Sequence, residues 1–186
     1  MITFLREIDF IGFSWVNNLP HPNWLVGLAR FFTNLGTLGS IWLWLGLGLV
    51  IGGGKYGRRV FWLITAGLLA GVVFNGWIIK NLVMRQRPYN FFGSPEIFRF
   101  TFWDTAWQDT SFMSGHAMTA FTCAVIIGKK FPKTFGIFIT IAFLISFSRV
   151  YLGAHWPLDA AFGAIAGIFV GYLILFLENK FLKRVK

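Results

Sequence analysis

The sequence has little of what most soluble enzymes are built from. It holds one cysteine, Cys123, so no disulfide can close within the chain. Its three histidines, His21, His116 and His155, have no ligand spacing with one another or with Cys123, which argues against a structural zinc site or an iron–sulfur cluster. Acids are scarce, seven against seventeen Lys and Arg, and charged residues make up 13% of the 186, too few to cover a soluble domain of this length. There is no repeat of fixed period and no low-complexity linker, so residues 1–186 read as a single domain. No secretory signal with a small-residue cleavage site is visible at the N-terminus, and all 186 residues are expected to remain in the mature protein.

What is present is mostly apolar: 56% of the residues are hydrophobic and 19% aromatic. At roughly 20 residues per crossing this leaves room for about five or six membrane helices. The fold class expected is all-α, a polytopic membrane helical bundle of about five transmembrane helices preceded by N-terminal interfacial helices. In residues 1–35 the Pro20-His21-Pro22 break separates two short helices. Phe4, Ile8, Ile11 and Trp15 recur at helical spacing and predict an apolar stripe on the first, so both helices are read as lying in the interface. Uncharged runs predict the bundle, 36–179, with spans at 36–54, 60–79, 114–128, 134–151 and 157–177. A basic loop at 55–59 separates the first two, and a polar excursion at 80–111 lies between the second and third.

Five crossings place 55–59, 129–133 and the C-terminal tail on one side, with ten of the seventeen cations in short segments. That is the pattern of a cytoplasmic face. The net charge of +10 is therefore topogenic rather than a nucleic-acid footprint. The opposite face, expected to point outward, carries six of the seven acids and three polar clusters.

Those clusters are Lys80 with Arg87-Pro88, then Ser114-Gly115-His116, then Arg149, His155 and Asp159. Separately each has an ordinary explanation. Lys80 and Arg87 could snorkel from a helix end, Ser114 could cap a helix, and Trp156-Pro157 could anchor at the interface. Together, on one face and from three segments, they supply cations and a glycine-flanked helix start, which is what a phosphate requires. Ionisable groups in such a chain are functional-site candidates by default.

In sequence order the clusters read Lys-x6-Arg-Pro, Ser-Gly-His and Ser-Arg-x5-His-x3-Asp. This three-part signature resembles that of the type 2 phosphatidic acid phosphatases, integral-membrane lipid phosphatases sharing a fold with vanadate-dependent haloperoxidases and soluble acid phosphatases. Two departures stand out: Met113 occupies a place usually held by proline, and five spans are counted where membrane members often have six. The resemblance implies that His155 is the nucleophile, giving a phosphohistidine, with Asp159 orienting its ring. It implies that His116 is the general acid and later the base. Lys80, Arg87, Ser114, Gly115 and Arg149 would hold the phosphoryl oxygens, with no cofactor and no metal. The partners implied are the lipid bilayer and a lipid phosphate substrate, with no nucleic acid: lipid A 1-phosphate, phosphatidylglycerophosphate, undecaprenyl diphosphate or phosphatidic acid. The expected location is the bacterial inner membrane, with the site facing the periplasm. A non-catalytic phospholipid carrier or flippase is the alternative, although the inverted repeats or broken mid-membrane helices typical of one are not visible in the sequence.

Overall fold

The computed structural model describes residues 2–92 and 110–184. Most of the expected excursion, 93–109 with Glu96, Arg99, Asp104 and Asp109, lies outside the described residues, as do the last two of the basic tail. Eight α-helices follow one another among those described. They are α1 (Ile2–Asn17), α2 (Asn23–Gly36), α3 (Ser40–Gly52), α4 (Gly54–Val83), α5 (Pro88–Phe92), α6 (Gly115–Lys130), α7 (Phe135–Tyr151) and α8 (Pro157–Arg184). Among the described residues there is no strand, only an isolated bridge between Gln86 and Thr110.

Helix α6 is the axis of the bundle. Ser114 caps it, its side chain accepting from the Ala117 N–H, and Lys129 and Lys130 end it where cations suit the helix dipole. Its 16 residues span about 24 Å at the usual rise, short for a bilayer, but Ala117 and nearly everything from Met118 to Gly128 is buried under α4, α7 and α8. Its most extensive neighbour is α8, and the reason is steric. Gly163, Gly167 and Gly171 recur every fourth residue on the face of α8 that meets α6. A Cβ at these positions would lie 2.6 Å from the Ser114 carbonyl oxygen, 2.3 Å from that of Met118 and 2.9 Å from the Val125 Cβ. Small residues at this spacing let membrane helices approach to backbone contact. Thr122 Oγ1 donates to the Gly167 carbonyl across the seam at 3.0 Å. Gly167→Val is therefore expected to destabilise the bundle by about 1–3 kcal/mol, as overpacking does, read as a lowered melting temperature in detergent. An unchanged melting temperature would mean that this seam does not set the helix spacing.

Three helices are long and apolar enough to cross a membrane: α4, α7 with its lead-in from Pro132, and α8. They correspond to three of the five expected spans, and α6 to another. The span expected at 36–54 differs. A short turn at Thr37–Gly39, with Gly39 in the left-handed region, breaks the run, leaving the 13-residue α3. Only together with α2, across a 56° bend, does it qualify as one span. The basic loop expected at 55–59 is instead the opening of α4, the reversal being made one step earlier at Gly53 and Gly54. At that end of the bundle Glu178 pairs with both Arg59 and Lys130, and the Tyr56 hydroxyl donates to the Lys130 carbonyl.

The stripe expected on α1 faces outward. Phe4, Ile8, Ile11 and Trp15 are exposed, while Asp9, Phe13 and Val16 are buried against α7 and α8. Phe13 and Val16 join Tyr151, Leu152 and Trp156 in a second apolar cluster, and the Tyr151 hydroxyl donates to the Pro20 carbonyl. His21 stacks on Tyr151 at 4.3 Å and so belongs to this clamp. The apolar stripe is where α1 presents itself to lipid. Its protein-facing side is chosen by Asp9.

Candidate functional site

The three clusters meet at one end of the bundle. Lys80 lies in the last turn of α4, which Met84 ends in a left-handed conformation. Arg87 precedes α5 and is buried, its Nη1 donating to the Ala154 carbonyl at 3.2 Å. Arg149 is buried in the last turn of α7, and its carbonyl accepts from the Ala154 and His155 N–H groups, folding residues 152–156 back against the end of that helix. Gly153 takes a positive φ of 83° to make that reversal. Pro157 then opens α8 with Asp159 in its first turn.

Ser114, Gly115 and His116 approach from the start of α6. The Ser114 N–H donates to the Asp159 backbone carbonyl at 3.0 Å, which locks the starts of α6 and α8 together. A Cβ on Gly115 would sit 3.2 Å from Asn75 Nδ2, so glycine keeps this corner open. The Thr37 hydroxyl lies 3.5 Å from His116 Nε2, and the turn between α2 and α3 closes over the ring.

All eight residues expected at the site are thus brought together. Lys80, Arg87, Arg149 and His155 all lie within electrostatic range of His116, and Asp159 within range of Lys80. Three cations and two imidazoles share one end of the bundle, with Asp159 the carboxylate among them. His155 is 2% exposed, and its Nδ1 faces Asp159 Oδ2 at 3.6 Å. Burial holds its pKa well below the ordinary 6.5, and the positive charges of Arg87, Arg149 and Lys80 push it further down, against a hydrogen bond with the Ser111 backbone. The ring is therefore neutral at neutral pH. Such a site can receive a dianion, offer it a neutral nitrogen base and stabilise added negative charge. Among the described residues no group of three or more His, Cys, Asp or Glu could hold a metal ion.

Several residues of this end went unassigned in the sequence. Asn75 sits buried in a π-helical stretch of α4, Gly71–Ile79, and donates to the Met113 carbonyl at 3.0 Å. Together with the Ser114 N–H it ties down the loop in which methionine replaces proline. The available signal was a lone amide inside an apolar run, since such groups in a membrane helix need a partner. Asp9 and Arg85 are the others. They pair with each other, and Arg85 Nη1 also donates to Asp159 Oδ1 at 2.8 Å.

The PAP2 superfamily profile matches residues 59–183. The chain is 32% identical over 150 residues to an undecaprenyl-diphosphatase of Sulfolobus acidocaldarius, covering 71% of this chain and 70% of that protein. It is 30% identical over 175 residues to phosphatidylglycerophosphatase B of Bacillus subtilis, covering 86% and 77%. Its fold aligns with the crystal structure of a transmembrane PAP2-type phosphatidylglycerolphosphate phosphatase from Bacillus subtilis at a TM-score of 0.67 and 23% identity, covering 95% of this chain and 87% of that one.

Proposed function

Because the chain belongs to the PAP2 superfamily, we propose that its cationic end is the active site of a lipid phosphatase acting through a phosphohistidine. The chain is an integral membrane protein and an enzyme of the lipid phosphatase class. The observation that carries the mechanism is the meeting of Lys80, Arg87 and Arg149 around two histidines, His155 buried and His116 half-buried.

In the first step the His155 imidazole attacks phosphorus, a nitrogen–phosphorus bond forms and the bond to the leaving oxygen breaks. His116 gives that oxygen a proton. Asp159, beside Nδ1, orients the ring and balances the positive charge it acquires. In the second step water attacks phosphorus, His116 takes a proton from it, and phosphate leaves with His155 restored. Lys80, Arg87, Arg149, the Ser114 hydroxyl and the Gly115 N–H hold the phosphoryl oxygens, which gain negative charge as the nucleophile arrives. The cations supply this stabilisation without a divalent metal.

The substrate we propose is an envelope lipid with an exposed phosphate or diphosphate, and first among the candidates an isoprenyl diphosphate such as undecaprenyl diphosphate. The similarity to the Sulfolobus acidocaldarius undecaprenyl-diphosphatase supports it. Phosphatidylglycerophosphate follows, on the similarity to the Bacillus subtilis enzyme. The site is assigned to the periplasmic face of the bacterial inner membrane, because the opposite end carries Lys55, Arg58, Arg59, Lys129, Lys130 and Lys133 in short segments.

The test is phosphate release by detergent-purified protein from a panel of lipid mono- and diphosphates, with excess chelator present. Release that ignores the chelator and is fastest with the isoprenyl diphosphate is expected. No release from any lipid that binds would turn the reading to a phospholipid carrier.

A further inference from the structure

Asp159 is placed against His155 by a residue outside the three-part signature. We propose that Arg85 is a positioning residue for the reaction: it fixes the Asp159 carboxylate, ionised, against His155, and is itself fixed by Asp9 of α1. The inference rests on the reading of Asp159 as the partner of His155.

Both carboxylates are removed from water, Asp9 at 1% and Asp159 at 0% exposure. Two such groups side by side cannot both stay charged unless a cation lies between them. Arg85 is that cation, one guanidinium nitrogen on each. A planar fork can hold two carboxylates at once, which an ammonium does not reproduce. The remaining oxygens are also committed. Asp159 Oδ2 accepts from the Trp156 N–H at 3.0 Å, and Asp9 Oδ1 accepts from the Leu158 N–H at 2.7 Å. Asp9 therefore grips the same first turn of α8 that carries Asp159, from a helix distant in sequence.

Arg85 is held from further sides. Its carbonyl accepts from the Ser111 N–H at 2.7 Å, and its guanidinium lies 5.2 Å from the centre of the Trp156 ring. The Trp156 Nε1–H in turn donates to the neighbouring Gln86 carbonyl at 2.9 Å. Arg85 also opens on a different space from the phosphate site. With Asp9, Trp156, Phe112 and Phe162 it lines a cavity of about 1060 Å³ that none of Lys80, Arg87, His116, Arg149 or His155 borders. Its guanidinium reaches Asp159 from behind, on the oxygen turned away from His155. A substrate phosphate held by the three site cations does not meet it.

The consequence is a specific kinetic signature. Without Arg85, Asp159 loses the partner that fixes its Oδ1 and keeps it charged beside Asp9. His155 then forms its phosphorus bond without a fixed counter-charge, while substrate binding is untouched. Arg85→Ala is expected to lower kcat by about 10–100-fold, the range over which outer partners of metal-bound histidines and carboxylates act, with KM unchanged within threefold. Arg85→Lys should recover part of the loss, since the charge returns without the fork. Asp9→Asn keeps an acceptor for the Leu158 N–H and should cost kcat less than Arg85→Ala does.

Steady-state kinetics on detergent-purified variants, normalised to folded protein by size-exclusion profile and melting temperature, test this with His155→Ala alongside. If Arg85→Ala does not fold, the comparison of Arg85→Lys with Asp9→Asn carries the test. An Arg85→Ala variant with kcat within threefold of the parent, an Arg85→Lys variant no slower than Asp9→Asn where Arg85→Ala does not fold, or a loss that merely tracks the folded fraction, overturns the proposal. So does a raised KM at unchanged kcat, which makes Arg85 a substrate-holding residue. If His155→Ala itself stays active, the reading of the site fails instead.

Discussion

His155→Ala is expected to remove phosphate release almost completely, by about 10⁵-fold or more, the scale on which the loss of a covalent nucleophile falls. The residual rate would come from water attacking a phosphate still held by Lys80, Arg87 and Arg149. Phosphoenzyme trapped from the parent protein should be acid-labile, as a nitrogen–phosphorus bond is, and absent from the variant. Activity within tenfold of the parent would remove His155 as nucleophile. The same ring sets the acid side of the pH profile. Its native pKa lies below 6.5 because burial and three cations disfavour the imidazolium. The free base needed for attack therefore persists below pH 6.5, and the acid limb of kcat/KM due to this group falls below that value. The linkage runs the other way for stability. Below pH 6.5 the unfolded chain takes up a proton that the native ring refuses, so this residue costs stability as pH falls.

The grouping of the candidate site residues was legible in the sequence because they come in short blocks whose internal spacing is fixed by local structure. Ser114 caps the helix whose first turn carries His116, and His155 and Asp159 straddle the Pro157 that starts α8. Those relations survive whatever the rest of the chain does. What could not be read depends on partners far apart in sequence. Nothing near Asp9 in the sequence marks its role, which appears only when α8 arrives to offer the Leu158 N–H and Arg85 to share Asp159. Helix boundaries failed for a related reason. Hydropathy registers the apolar run from Gly36 to Gly54 but not the left-handed Gly39 that divides it, nor the reversal at Gly54 that turns a basic loop into the first turns of α4. The glycines of α8 carried a readable period of four. Their partner, the backbone of α6, is what gives that period its purpose.

His116→Ala separates the two chemical steps, and its cost depends on the substrate. On a lipid monophosphate the leaving oxygen departs as an alkoxide, which needs a proton as the bond breaks, and the expected loss is about 10²–10⁴-fold, the span of general acid catalysis. On a lipid diphosphate the leaving group is itself a phosphate, whose second pKa near 6 lets it depart without help. The first step should therefore survive in the variant with an isoprenyl diphosphate. The second step still needs a base for water, and both substrates share it. Rapid-mixing experiments on the variant should thus show a burst of about one equivalent of lipid product per site from a diphosphate, followed by slow turnover, and no burst from a monophosphate. Equal losses on both, without a burst, would place His116 among the groups that hold phosphate and return the proton to another donor. The geometry argues against that outcome. His116 is the second residue of a helix whose cap and first residue belong to the proposed phosphate site, and its Nε2 lies 3.5 Å from the Thr37 hydroxyl.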